Sequence, residues 1–119
     1  MRHGVPPSPT YNLERAMAKT PEKKVKDACY AVLREHGAYF FSPVTGGFGK
    51  SGVPDIIACW RGRFLAIECK AGYNKPTLLQ EKEMKAVGQA GGTALVIRED
   101  SVELLYAWFN DMEVQNGND

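Results

Sequence analysis

The stretch GVPDIIACWRGRFLAIECK, residues 52–70, decides how the middle of this chain folds. A short apolar run over residues 56–60 predicts a buried strand. The Arg-Gly-Arg that follows predicts a tight turn, and residues 64–70 predict the return strand. The spacing therefore indicates an antiparallel hairpin, around which the other elements must pack.

Charged side chains lie where the two strands of this hairpin begin and end. Side chains alternate along a strand, so Glu68 and Lys70 project from the same face. Asp55 precedes the first strand, and the start of one hairpin strand lies beside the end of its partner. We therefore expect Asp55 and Glu68 to lie within reach of a single ion.

Two carboxylates and one ammonium in this arrangement suit the metal-assisted cleavage of a phosphodiester. An unpaired buried carboxylate is costly, and a divalent cation removes that cost. Hard oxygen ligands favour Mg²⁺ or Mn²⁺, which would activate a water and neutralise charge on the phosphate. Lys70 would orient or deprotonate the water or stabilise the transition state. A structural ion pair explains any one of the three residues, but explains the set of three less well.

The segments Gly52-Val53-Pro54-Asp55 and Glu68-Cys69-Lys70 resemble the PD-(D/E)xK nuclease signature. More narrowly, the chain resembles the stand-alone VRR-Nuc domains, which are similar in core to archaeal Holliday junction resolvases. The resemblance extends from about residue 20 to about residue 108. It implies an α/β fold with a restriction-endonuclease-like core, in which helices flank a mixed central β-sheet, and it implies Mg²⁺ or Mn²⁺ as the cofactor.

The same resemblance implies further site residues. Glu22 on the first helix would complete the acidic site, and the backbone carbonyl of Cys69 would supply a further metal ligand. Gln80 matches a glutamine common in the helix after the Glu-x-Lys strand. Each has a structural alternative, because Glu22 also complements a helix dipole and Gln80 also fits a capping box with Thr77. Arg98 is the one candidate for the basic function that the family name implies near the last strand.

Composition indicates one domain in a chain of 119 residues with 44% hydrophobic content and a net charge of +1. We expect a flexible arm over residues 1–19, a nuclease domain over 20–113 and a disordered tail over 114–119. No membrane span or signal peptide is predicted. Three scattered cysteines fit buried packing in a reducing cytoplasm, and a phage or mobile-element origin would suit so small an enzyme.

Turn and capping signals predict the remaining elements. A helix starts at Thr20-Pro21 and ends at Gly37, and a strand follows over residues 38–43. A second helix runs from Thr77 to Gly91, with Leu79, Met84 and Val87 as core residues, and a strand covers residues 93–98. Ser101 would cap a last helix, whose apolar stripe contains Leu104, Leu105, Trp108 and Phe109.

Candidate DNA contacts are basic or polar residues near the hairpin that would bind phosphates. A glycine-rich loop over residues 44–52 precedes Asp55, and it is not a P-loop, because Val44 stands where that motif needs glycine. Contacts to phosphates give affinity without sequence recognition. The candidates are Lys50, Ser51, Arg61, Arg63 and Lys75.

The resemblance also implies a homodimer whose two sites cut opposed strands of branched DNA, such as a four-way junction, without a small-molecule cofactor. Tyr106, Trp108 and Phe109 would form the dimer interface or pack in the core. Two alternatives stay open. One is a less selective nuclease that acts on flaps, single strands or nicked duplex, and the other is a catalytically weak module that docks on DNA.

Overall fold

The computed structural model describes residues 20–44 and 49–117, so the predicted arm over residues 1–19 lies outside it. The order of elements is helix, three strands, helix, strand and helix, as predicted. The elements are α1 (Pro21–Glu35), β1 (Tyr39–Phe41), β2 (Ile56–Trp60), β3 (Arg63–Cys69), α2 (Leu78–Gln89), β4 (Thr93–Ile97) and α3 (Glu103–Gly117).

The four described strands form one mixed sheet in the order β1-β2-β3-β4. The first two pairs are antiparallel, and β3 pairs with β4 in parallel. Parallel neighbours need a crossover connection, and α2 supplies it. The predicted α/β fold with a mixed sheet and flanking helices is confirmed.

A two-residue turn sets the register of the central hairpin. Arg61 and Gly62 both have positive φ, at 49° and 79°. Positive φ at both turn residues is typical of the turns whose twist matches a hairpin. The turn pairs Trp60 with Arg63, and the pairing continues to the other end of β2, where Ile56 faces Ile67.

Helix α1 begins and ends as its sequence predicts. The hydroxyl of Thr20 accepts a hydrogen bond from the backbone N–H of Lys23 at 3.1 Å, and Pro21 occupies the first turn. His36 caps the far end, and Gly37 has a φ of 73°, a left-handed conformation that glycine adopts without strain. The buried face of the helix consists of Val25, Cys29, Val32 and Leu33.

The hydrophobic core lies between the sheet and the helices α1 and α3. Trp60 packs edge-to-face on Phe109, with ring centroids 5.0 Å apart, and its indole N–H donates to the carbonyl of His36 at 3.0 Å. The indole N–H of Trp108 donates to the hydroxyl of Thr93 at 3.1 Å. These bonds satisfy the polar atom of each ring, so both tryptophans can pack in the core. Trp108 and Phe109 are therefore core residues.

Helix α2 covers the other face of the sheet and contributes no buried side chain. The expectation that Leu79 belongs to the core is wrong, since 53% of it is exposed. Leu78 is exposed as well, at 84%. Cys59 is exposed because it points to this thinly covered face, whereas Cys29 and Cys69 are buried as expected.

The last helix differs from expectation at both ends. The Ser101 hydroxyl accepts from the backbone N–H of Arg98 at 2.8 Å, so it closes the preceding turn. At the other end, the tail expected over residues 114–119 is helical as far as Gly117. No proline or glycine interrupts the sequence before Gly117, and Glu113 is tied to Arg61 by an ion pair of 2.7 Å.

Candidate active site

The start of β2 and the end of β3 bring Asp55 and Glu68 side by side. Ile56 faces Ile67, so the next position outward on each strand places Asp55 opposite Glu68. An Asp55 carboxylate oxygen accepts a hydrogen bond from the backbone N–H of Cys69 at 2.8 Å. This bond fixes the orientation of Asp55 against the strand that carries Glu68. The hairpin spacing had predicted this proximity.

Among the residues that the structure describes, Glu68 is the one charged side chain that is buried, with 1% of its surface exposed. Leu65, Ile67 and Cys69 belong to the core, so alternation places Glu68 on the opposite face of β3. Neither carboxyl oxygen of Glu68 has a hydrogen-bond partner within the described residues. A buried carboxylate without a donor is strongly disfavoured, so the group must carry a proton or face a cation.

The charges around Glu68 alter its acidity. The pKa of Glu68 is raised from 4.5 to about 8, first by burial and then by the adjacent Asp55 carboxylate. The Lys70 ammonium acts in the opposite direction, and Glu22 adds a small further increase. All three charges are therefore close enough to act on one buried group. Perturbed carboxyl groups of this kind cluster at functional sites.

The donor set fits a hard divalent cation. The two carboxylate oxygens of Glu68 accept no hydrogen bond from the part of the chain that the structure describes, and Asp55 offers a second carboxylate. Within residues 20–44 and 49–117, no group of three or more His, Cys, Asp or Glu side chains is arranged to hold a metal ion. A two-carboxylate site suits Mg²⁺, which keeps several waters and completes its shell with phosphate oxygens of the substrate.

Lys70 follows β3 directly and is half-exposed. Its backbone N–H donates to the carbonyl of Ile97 at 3.0 Å, so the parallel pairing with β4 continues through it. The backbone at Lys70 is thus fixed by the sheet, while its side chain has access to solvent. That combination suits a group that must meet an incoming substrate.

Glu22 lies in the first turn of α1, half-exposed, and faces the loop after β3. The side-chain amide of Asn74 donates to its carboxylate at 3.4 Å. Its charge contributes to the raised pKa of Glu68, but it does not join Asp55 and Glu68 in one ligand cluster. Glu22 thus lies at the margin of the site, and its role as a ligand stays a prediction.

The side chain of Gln80 is engaged in the N-cap of α2. Its side-chain oxygen accepts from the backbone N–H of Thr77 at 2.8 Å, and the Thr77 hydroxyl accepts from the N–H of Gln80 at 3.1 Å. This is the reciprocal capping box that the sequence offered as the structural alternative. A direct catalytic role for Gln80 stays a prediction.

Residues 49–52, the described end of the glycine-rich loop before Asp55, lie against α2. The ammonium of Lys50 pairs with Glu83 at 3.2 Å, and Ser51 is exposed beside it. Gly52 has a φ of 78°, and a Cβ built there would lie 2.7 Å from the carbonyl carbon and oxygen of Leu79. Only glycine permits this approach, which fixes the backbone that leads into Asp55.

The predicted DNA contacts lie in two separate places. Arg61 and Arg63 belong to the hairpin turn, at the opposite end of the strands from Asp55 and Glu68. Five residues of strand separate the two ends by roughly 16 Å at about 3.3 Å per residue. Arg61 is tied to Glu113 and lies over the Trp60 ring, 4.3 Å from its centroid. The turn arginines therefore lie apart from Asp55 and Glu68.

The loop over residues 71–76 beside the site contains contacts that the sequence did not reveal. The Arg98 guanidinium donates to the carbonyl of Asn74 at 2.6 Å and to that of Gly72 at 3.4 Å. The Glu99 carboxylate accepts from the N–H of Gly72 at 2.9 Å. Arg98, whose role the resemblance left open, therefore holds the backbone of this loop.

Comparison with known proteins supplies the family. The family model of the archaeal Holliday junction resolvase (hjc) matches residues 17–117. The chain belongs to this family. A solved structure described as a VRR_NUC domain aligns with a TM-score of 0.65 at 23% identity, over 75% of this chain and 97% of that chain. At this identity it shows the fold. No curated protein matches the sequence.

The family assignment and the fold together make the chain a resolvase-like nuclease with a restriction-endonuclease-like core. The resemblance drawn from the hairpin residues is confirmed at this level. Among residues 20–44 and 49–117, no helix is long and apolar enough to cross a membrane.

Proposed function

We propose that the chain is a metal-dependent endonuclease that hydrolyses phosphodiester bonds in branched DNA, above all in four-way junctions. The observation that carries this proposal is Glu68, a fully buried carboxylate with two unpartnered oxygens, beside Asp55 and Lys70. A chain that only docks on DNA has no use for a buried acid that lacks a donor. The resolvase family supports the choice of branched DNA.

Asp55, Glu68 and the backbone carbonyl of Cys69 would hold Mg²⁺ or Mn²⁺, with Glu22 at the margin of the site. When bound, the ion supplies positive charge at the scissile phosphate and makes a nearby water more acidic. Glu68 must release its proton before it can bind the ion, so activity should rise with pH.

Lys70 is the residue proposed to act on the reacting groups. Its ammonium would orient the attacking water and stabilise the negative charge that develops on the phosphate oxygens. Asp55 would also have a structural role, because the hydrogen bond that it accepts from the Cys69 N–H fixes the backbone between Glu68 and Lys70. The glycine-rich loop and Lys75 would contact the flanking phosphates.

A homodimer would supply two sites for two opposed strands. An exposed apolar strip on the face of the sheet that α2 only partly covers supports the dimer, and consists of Tyr39, Phe41, Cys59 and Phe64. Tyr39 faces Cys59 across β1 and β2, and Cys59 faces Phe64 across β2 and β3, so these three side chains form one row. The ring of Phe41 lies beside that of Tyr39, with centroids 6.2 Å apart. Exposed apolar patches of this kind mark interaction surfaces. Trp108 and Phe109 are excluded from this interface by their burial.

We place the enzyme in the cytoplasm, a compartment in which the thiols of Cys29, Cys59 and Cys69 would stay reduced. All three are free in the structure, which supports this location.

The function is tested on a labelled four-way junction and on a linear duplex of the same arm sequence. Purified protein is incubated with each DNA in Mg²⁺, in Mn²⁺ and in EDTA, with Lys70→Ala as the inactive variant. We expect paired nicks on opposed junction strands that require metal and vanish with Lys70→Ala. Equal cleavage of both DNAs would indicate a less selective nuclease. Binding without cleavage in either metal would contradict an enzymatic role and favour a docking module.

The dimer is tested by measuring the mass of the protein in solution. Phe41→Glu places a charge in the apolar strip, and we expect it to convert a dimer to a monomer. Glu81→Gln, an exposed change on α2, is the matched control. A wild-type protein that is monomeric at assay concentrations would contradict the dimer.

A further inference from the structure

The loop over residues 71–76 is held by two charged side chains although it lies on the surface. The guanidinium of Arg98 donates to the carbonyls of Asn74 and Gly72, and the carboxylate of Glu99 accepts from the N–H of Gly72 with both oxygens, at 2.9 and 3.2 Å. Bonds that involve a charged group are stronger than neutral ones. The backbone of the loop is therefore fixed by the end of β4.

The same loop is attached to the edge of the catalytic site. Asn74 donates its side-chain amide to Glu22, whose charge acts on Glu68. The loop begins immediately after Lys70, whose backbone is bonded to Ile97 in the sheet. The backbone at the tip of this loop consequently has a fixed position relative to the carboxylate pair.

The tip carries Tyr73, and 99% of this side chain is exposed. A ring so exposed contributes nothing to the core, and the bracing keeps the backbone beneath it from collapsing onto the surface. Basic residues flank the ring, because Lys70 precedes it by three positions and Lys75 follows it by two. Aromatic rings set among basic side chains are the usual surface for binding unpaired nucleic acid.

We propose that Tyr73 stacks on an unpaired or splayed base at the branch point of the DNA and thereby determines the preference for branched substrates. This inference rests on the proposed nuclease function and adds the residue that selects DNA structure. Stacking on an aromatic ring is tolerant of base identity, because every base has a π-face. In a continuous duplex the faces of the bases are occupied by neighbouring bases, so only a disrupted stack offers one to Tyr73.

The test measures affinity by fluorescence anisotropy, with Ca²⁺ in place of Mg²⁺, for a synthetic four-way junction and for a linear duplex. We expect Tyr73→Ala to weaken junction binding about tenfold, within the range of base–aromatic stacking, and duplex binding less. Tyr73→Phe should retain the wild-type preference, since it keeps the ring. Val114→Ala, which removes an exposed apolar side chain from α3, should bind as the wild type does.

A second readout reports stacking directly. A junction with 2-aminopurine at the branch point should lose fluorescence on binding wild type or Tyr73→Phe, and should keep it on binding Tyr73→Ala. Equal losses of affinity for junction and duplex would overturn the inference, as would a Tyr73→Phe variant as weak as Tyr73→Ala. A change in the mass of Tyr73→Ala in solution would instead make the ring a contact between protein copies, which also overturns it.

The role of Tyr73 and the proposed nuclease function on which it rests are tested by different outcomes. If the wild type neither binds nor cleaves the junction, the proposed function is wrong. If the wild type binds and cleaves it and Tyr73→Ala does so with the same preference, the function stands and the role of Tyr73 is wrong.

Discussion

The substitution Glu68→Gln should remove a pH dependence of stability that the wild type shows in the absence of metal. The pKa of Glu68 is raised from 4.5 to about 8 in the folded protein by burial and by Asp55. Between these pH values the folded state binds one proton that the unfolded state has lost. The free energy of unfolding of the wild type therefore falls as pH rises through this window.

The magnitude follows from the size of the shift. Each pKa unit corresponds to about 1.4 kcal/mol, so the loss between pH 5 and pH 8.5 is at most about 4 kcal/mol. With 1% of the side chain exposed, solvent screens this effect little. Gln is neutral throughout and has nearly the same shape as a protonated Glu68. The variant should match the wild type near pH 5 and exceed it by the full difference at pH 8.5.

Urea unfolding in EDTA at constant ionic strength, followed at several pH values, measures this difference. Glu81→Gln makes the same chemical change at an exposed site and should follow the wild type at every pH. All other titratable groups are present in both the wild type and Glu68→Gln, so comparison of these two proteins isolates Glu68. Parallel pH profiles for wild type and Glu68→Gln would refute the inference that Glu68 is a buried, protonated acid.

Three further predictions concern the loop, the lysine and the thiols. Gly52→Ala should lower the free energy of unfolding by more than about 1 kcal/mol and reduce cleavage, because the added Cβ would lie 2.7 Å from the Leu79 backbone. The control Gly49→Ala also has positive φ but open space around the added Cβ, so urea unfolding should show a smaller loss of stability. Lys70→Met should lower the cleavage rate at least about 100-fold with little change in DNA affinity, and an equal loss of both would contradict a catalytic role. A thiol reagent should label exposed Cys59 rapidly in the native Phe41→Glu monomer, in which no dimer contact covers it, and buried Cys29 and Cys69 only on unfolding, as followed by mass spectrometry.

The central hairpin could be predicted because its determinants are local. A two-residue turn at Arg61 and Gly62 fixes the register, and the register places Asp55 beside Glu68. The ends of α1 were likewise predictable, since Thr20 and Gly37 act within one turn of the helix that they limit. In each case the residues that decide the structure are close in sequence.

The second layer of the fold could not be predicted in the same way. Leu79, Met84 and Val87 have the spacing of an apolar helix face whether that face is fully buried or only thinly covered. Helices α1 and α3 pack on one face of the sheet and bury side chains there. Helix α2 packs on the other face and buries no side chain completely. Helical periodicity reports which side of a helix is apolar, and it does not report how much protein lies above it.

The bracing of the loop beside the site depends on contacts between distant parts of the chain. Arg98 and Gly72 are separated by 26 residues, and no spacing rule connects them. Gln80 shows the opposite case, because its bonds with Thr77 span only three residues and form whenever the helix forms. The hydrogen bonds of Gln80 could therefore be predicted from the local sequence, whereas those of Arg98 become visible only in the folded structure.

The most direct test of the acidic pair is a titration of the protein with Mn²⁺ by calorimetry. It is performed at pH 7 in two buffers of different ionisation enthalpy, on wild type, Glu68→Gln and Asp55→Asn. We expect the wild type to bind Mn²⁺ with release of a proton from Glu68, and both variants to lose most of that affinity. Equal binding by wild type and Glu68→Gln, or binding without proton release, would contradict a cation site built on the buried carboxylate.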